Sequence, residues 1–257
     1  MSGDHFELDE RFEGNALDMK VWFPYYLPHW SSRENSAATW FIRDGELHLL
    51  IPADQPLWCP GLHDEPIRVS GVQTGSFAGP VGSTIGQQPF TEGLTVREQQ
   101  PTFWGYTPRY GQIEVRMRGA LTARSMFGFW LAGIEDRPER SGEILVAEVF
   151  GDAIEDGSAA VGMGIRSFRD PTLTGDFSTP RLEIDVSEPH AYAVVWNPVS
   201  VDIVVDDVSV RRIDQSPGYP MQLMIGVFDF PARDPSGLWA DHVPELVVSS
   251  VKGAPLS

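Results

Sequence analysis

Polar and apolar residues alternate strictly along Gln112-Ile-Glu-Val-Arg-Met-Arg118. That period of two belongs to a strand with one buried and one wet face. Similar short apolar-rich pieces recur at Trp40–Ile42, Glu46–Ile51, Met126–Ala132, Glu143–Phe150, Ala159–Ser167, His190–Trp196, Met221–Phe228 and Leu246–Val251. The run Val201-Asp-Ile-Val-Val-Asp-Asp-Val-Ser-Val210 reads as a hairpin. No stretch long enough for an ordinary helix keeps a 3.6-residue apolar period free of Gly and Pro. The 25 glycines and 21 prolines are spread along the whole chain and cut it into short pieces. The pattern predicts an all-β fold, a two-sheet antiparallel β-sandwich of jelly-roll type. No repeat, low-complexity tract or linker divides it, so residues 1–257 are read as a single domain. The segment Pro52–Pro108 is the least regular and is expected to form long loops, the usual carriers of function.

Composition narrows the partners. The chain carries 19 Lys+Arg against 36 Asp+Glu, a net charge of −17. It has no basic cluster for nucleic acid or anionic lipid, and no apolar run long enough to span a membrane as a helix. Cys59 is the only cysteine, so no disulfide framework exists, and a buried thiol is expected there. The six histidines show no zinc spacing, and neither a nucleotide loop nor a serine-hydrolase elbow is present. No metal or cofactor is expected. The N-terminal run MSGDHFELDERFEG lacks the basic flank and apolar core of a secretory leader.

One segment carries chemistry: Ser141-Gly-Glu143-Ile144-Leu145-Val146-Ala147-Glu148-Val149-Phe150. In a regular strand, residues five apart face opposite sides, and both glutamates would then be ordinary solvated side chains. One extra bulged residue between them brings both to one face. Two carboxylates about 5 Å apart suit retaining glycoside hydrolysis, one attacking the anomeric carbon and the other protonating the leaving oxygen.

This strand resembles the active-site strand of glycoside hydrolase family 16, E-x-D-x-x-E. Other segments resemble the same family in order. They are Asp9-Glu-Arg-Phe-Glu-Gly with Leu17-Asp-Met-Lys-Val-Trp22, Tyr110-Gly-Gln-Ile-Glu-Val-Arg116, Phe129-Trp130-Leu131, and His190-Ala-Tyr192 through Trp196. Val204-Val-Asp206, Pro220-Met221 and Gly237-Leu-Trp239 follow. The resemblance implies a concanavalin-like sandwich with a sugar cleft on its concave face. It implies a retaining endo-β-glycosidase acting on a polysaccharide or oligosaccharide, with a β-glucan as the expected substrate. Glu143 would be the nucleophile and Glu148 the general acid and then base. The alternative is a non-catalytic carbohydrate-binding module on the same fold.

The departures bear on activity. Leu145 stands where the family has Asp, so the nucleophile loses a hydrogen-bond partner and gains an apolar neighbour, which weakens activity and raises its pKa. Ser249 stands where many members have an Asp that helps hold calcium, and Glu7 with Asp9 makes a poor cage. Arg166 lies near a position where many members have histidine. Trp130 and Trp239 match family positions near the cleft. Trp30, Trp104 and Tyr106 lie in aromatic-rich loops and are expected at the sugar, together with Arg166. Arg109, Arg124 and Arg166 would make any local basic patch. A monomer is expected. The chain as read would be cytoplasmic, although the family is often secreted.

Overall fold

A computed structural model describes residues 7–256; the residues before Glu7, His5 among them, and Ser257 lie outside the description. Two antiparallel sheets face each other. The outer sheet runs Val208–Ile213, Val201–Val205, His190–Trp196, Gly111–Ala120, Glu245–Ala254, Glu46–Leu50 and Thr39–Arg43, with Leu8–Glu10 pairing Glu245–Ala254. The second sheet runs Asp176–Ser178, Gly162–Arg166, Glu143–Phe150, Ser125–Gly133, Met221–Asp229 and Arg68–Gln73. Alternation places the inward residues. Ile113, Val115 and Met117 of the outer sheet are buried against Phe127, Phe129, Leu131, Ile144, Val146 and Val149 of the second. Gln112 and Arg116 face solvent, as the alternation predicts.

Turn chemistry closes the hairpins. Asp206 and Asp207 both have positive φ, 47° and 64°, in the two-residue link between paired Val205 and Val208. Asp44 and Gly45 do the same at 56° and 77° between Arg43 and Glu46. These are the type I′ loops whose twist matches a right-handed hairpin, and Asp and Gly tolerate them best.

The second sheet departs from expectation in two places. Arg68–Gln73, within the segment expected to be loops, is its edge strand and pairs with Met221–Asp229. Gly71 hides it from the apolar pattern and lets the two backbones approach closely: a Cβ on Gly71 would sit 3.1 Å from the Ile225 carbonyl oxygen, a tight contact. The piece Ala159–Ser167 is two strands. Ser158–Ala160 joins a small sheet with Ile154–Glu155 and Arg181–Leu182, while Gly162–Arg166 joins the large one.

The loops of residues 24–104 fold over the outer face of the second sheet. Leu27, Trp30, Trp58, Cys59, Val69, Leu94 and Val96 pack there against Met126, Met224, Phe228 and Phe230. This second core covers part of the sheet and leaves the rest open as a cleft.

Candidate active site

The open floor centres on the Glu143–Phe150 strand. On one side, Phe129 pairs with Ala147 and Trp130 with Leu145; on the other, Gly162 pairs with Glu148 and Gly164 with Leu145. Three steps along this strand, from Leu145 to Glu148, therefore match two along Gly162–Arg166. The extra residue is a β-bulge at Val146-Ala147. Ile144, Val146 and Val149 point into the sandwich core, and Glu143, Leu145 and Glu148 line the cleft. Without the bulge Glu148 would point into the core. Gly162 leaves room for it: a Cβ there would lie 3.2 Å from Glu148 Oε2.

The two carboxylates live differently. Glu143 is buried, and desolvation pushes its pKa from 4.5 up to about 7. Arg166 and a hydrogen bond from Gln88 pull it back, and Glu148 pushes it further up. Gln88 Nε2 donates to Glu143 Oε1. Arg166 straddles the pair, with Nη1 3.8 Å from Glu143 Oε2 and Nη2 3.3 Å from both oxygens of Glu148. The guanidinium also lies over the Phe177 ring, 5.2 Å from its centroid. Leu145 offers neither carboxylate a polar partner. Tyr26 stands across the cleft, its phenol pKa pushed up by burial and by the Glu143 charge.

The cavity above this floor measures about 210 Å³. Its far wall is Tyr26, His63, Ile67 and Gln88 from the loops, with Met126, Trp130, Phe228 and Phe230 from the sheet. Trp130 is half-buried and meets Tyr26 edge-on at 6.5 Å and Phe228 at 6.1 Å.

Of the residues expected at a sugar, Glu143, Glu148, Trp130 and Arg166 meet in this cavity. Trp239 and Trp104 are 37% and 45% exposed but stand outside its lining. Two expectations are corrected. Trp30 is 0% exposed, because the 3-10 turn Pro28–Trp30 swings it into the second core, where its indole donates to the Gln87 carbonyl at 2.6 Å. Tyr106 is buried in the main core with its ring against Gly253, so close that a Cβ there would collide with it. Neither has a face left for a sugar. The basic patch reduces to Arg166: Arg124 is buried against Asp229 at 2.7 Å, and Arg109 lies over Tyr110. Cys59 is buried, and burial pushes its thiol up to about 12. Sequence reasoning missed His63 and Gln88. Tyr26, in the same aromatic-rich loop as Trp30, is the ring of that loop that lines the cavity. Among the described residues, no group of three or more His, Cys, Asp or Glu could hold a metal ion; Asp9 is engaged by Arg11 at 3.0 Å.

The model of the family described as glycosyl hydrolases family 16 matches residues 105–237, just over half the chain. No curated protein matches. Among solved structures, an endo-β-galactosidase from Clostridium perfringens that releases GlcNAcα1-4Gal superposes with a TM-score of 0.78 at 24% identity, covering 98% of this chain and 63% of that one. The present chain thus spans less than two thirds of that protein. A laminarinase from Flavobacterium sp. UMI-01 gives 0.63 at 18% identity over 96% and 98% of the two chains. A β-1,3-1,4-glucanase derived from a mouse hindgut metagenome gives 0.62 at 18% over 97% and 99%. At these identities the likeness establishes the shared sandwich.

Proposed function

The chain belongs to glycosyl hydrolases family 16, and from that premise we propose that it is a retaining endo-β-glycosidase with Glu143 as nucleophile and Glu148 as general acid and base. The observation that supports the reading is the bulge at Val146-Ala147, which turns both carboxylates onto one cleft face, bridged by Arg166. In the first step a Glu143 oxygen bonds to the anomeric carbon while Glu148 gives its proton to the departing glycosidic oxygen. In the second, Glu148 takes a proton from water, the water oxygen bonds to the anomeric carbon, and Glu143 leaves as carboxylate. Arg166 stabilises the anionic state of whichever carboxylate is ionised. Trp130 offers the apolar face on which a sugar ring stacks.

One observation favours a second assignment. A general acid works best with a raised pKa, and the group that burial raises is Glu143, near 7. The pH profile separates the two. If Glu143 attacks, kcat/KM climbs as pH rises through about 7, because only the ionised form reacts. If Glu143 is the acid, kcat/KM falls across the same range.

For substrate, we propose a β-linked neutral glycan, first a β-glucan, as the laminarinase and glucanase neighbours act on. The higher TM-score to the galactosidase favours a β-galactoside as the second choice. The test is release of reducing ends from β-1,3-glucan, mixed-linkage glucan and galactan, with proton NMR of the first-formed anomer. Retention of configuration supports the reading; inversion, or no hydrolysis of any of them, refutes it.

A further inference from the structure

A buried nucleophile needs a hydrogen-bonding neighbour to fix its orientation, and Leu145, the adjacent residue on its own face, has none to offer. We propose that Gln88 is the positioning residue for Glu143, supplying from a loop across the cleft the hydrogen bond that the strand lacks.

The placement of Gln88 is over-determined. It sits at φ 49°, a left-handed conformation that a non-glycine residue adopts only when its surroundings hold it there. The holding group is Glu135, whose Oε1 accepts the Gln88 backbone N–H at 2.6 Å. Glu135 is itself buried at φ 56°, and its other oxygen pairs with Arg169. Glu135 follows the Ser125–Gly133 strand and Arg169 follows Gly162–Arg166, the two strands that flank Glu143. The Arg169 N–H donates to Ser141 Oγ at 2.9 Å, which ties the same clamp to the chain entering Glu143. Behind Gln88, the Gln87 side chain takes the Phe77 N–H at 2.9 Å and its carbonyl takes the Trp30 indole at 2.6 Å. The loop is thus pinned from both sides, and its one side chain aimed into the cleft ends on the Glu143 carboxylate. Gln88 Oε1 is buried without a partner. That cost is carried by a contact worth keeping.

The charged and titratable groups facing Glu143 are Arg166 and Glu148 from the sheet and Tyr26 from the loops, and His63 lines the same cavity. Gln88 is the neutral group whose hydrogen bond reaches the Glu143 carboxylate. A donor to the ionised form lowers a carboxyl pKa, so removing it displaces Glu143 further upward.

The inference rests on Glu143 being a catalytic carboxylate, and the test reads Gln88 independently of turnover. In wild-type protein labelled with carbon-13 at glutamate carboxyls and nitrogen-15 at glutamine amides, the Gln88 side-chain amide protons should shift with the same midpoint as Glu143. In Gln88→Met, of similar length but without a donor, the Glu143 midpoint should rise by about one unit, a tenfold change in its ionisation constant. Leu145→Asn in that background restores a neutral donor from the strand and should bring the midpoint back down. A Gln88 amide that does not titrate with Glu143 overturns the proposal, and the wild-type measurement stands even if Gln88→Met fails to fold. An unchanged Glu143 midpoint in folded Gln88→Met overturns it too. Hydrolysis by wild type compared with Glu143→Gln, measured separately, decides whether Glu143 is catalytic at all.

Discussion

The cleft has two sides built by different rules. The sheet side is made by alternation plus one bulge: Glu143, Leu145 and Glu148 on one strand, Trp130 and Arg166 on its neighbours. The loop side is made by a separate apolar core, in which Trp30, Trp58, Leu94 and Val96 pack loops within residues 24–104 onto Met126, Met224 and Phe228. The sheet side holds the two carboxylates proposed above as the reacting pair. The loop side holds Tyr26, His63 and Gln88, which wall the same cavity, and Gln88 donates a hydrogen bond to Glu143. The proposed chemistry therefore sits on paired strands, and its tuning sits on loops packed in a cluster distinct from the main core.

If this division is correct, the largest effects on turnover come from the sheet. Glu143→Gln or Glu148→Gln should each lower kcat by at least about 10²-fold, general acid–base catalysis alone being worth roughly 10²–10⁴-fold and a nucleophile more. Tyr26→Phe, on the loop side, should stay within about tenfold. Steady-state hydrolysis rates make the comparison, and a large loss in Tyr26→Phe would erase the division.

Next come effects on stability, where the order reverses. Trp30→Ala empties the centre of the loop core and should cost about 3–5 kcal/mol in denaturant unfolding. Glu143→Gln should instead stabilise the protein above neutrality. Between the unfolded value, 4.5, and about 7, the folded chain keeps a proton on Glu143 that the unfolded chain has lost. Stability from this group therefore falls as pH rises across that window and is flat below it. The difference between wild type and Glu143→Gln should be small at pH 4 and grow to on the order of 3 kcal/mol by pH 8. A constant difference from pH 4 to 8 would mean that burial does not raise Glu143.

The smallest effect expected is on the shape of the pH profile. Arg166→Met removes the cation that holds Glu143 down, so the acid limb of kcat/KM should move up by about one unit. An unmoved limb would assign Arg166 to Glu148 alone, whose two oxygens it meets at 3.3 Å.

What could be read in advance follows the same line. The strand Gly111–Ala120 and the two-aspartate hairpin turn announce themselves, because alternation and turn chemistry are local. The pairing of Glu143 with Glu148 was legible as a bulge hypothesis, because the apolar residues between the glutamates leave few other ways to bury Ile144, Val146 and Val149 together. Trp30 and Tyr106 were misread because aromatic content does not say which face of a loop turns inward; one 3-10 turn decides it for Trp30. Gln88 carries no sequence signal at all. Its role depends on Glu135 and Arg169, residues 47 and 81 positions further along, meeting it only through the sheet.

The central claim is that Glu143 is the carbon-bonding carboxylate of a retaining pair. The most direct measurement is mass spectrometry of the protein treated with a 2-deoxy-2-fluoro β-glycoside of the sugar it hydrolyses carrying an activated leaving group: the fluorine slows both steps, and the leaving group keeps formation of a glycosyl-enzyme faster than its release. The account predicts one added fluoroglycosyl group, located on the peptide containing Ile144 and Leu145 and assigned by fragmentation to Glu143. A label on Glu148, or turnover with inverted product and no label, would contradict it.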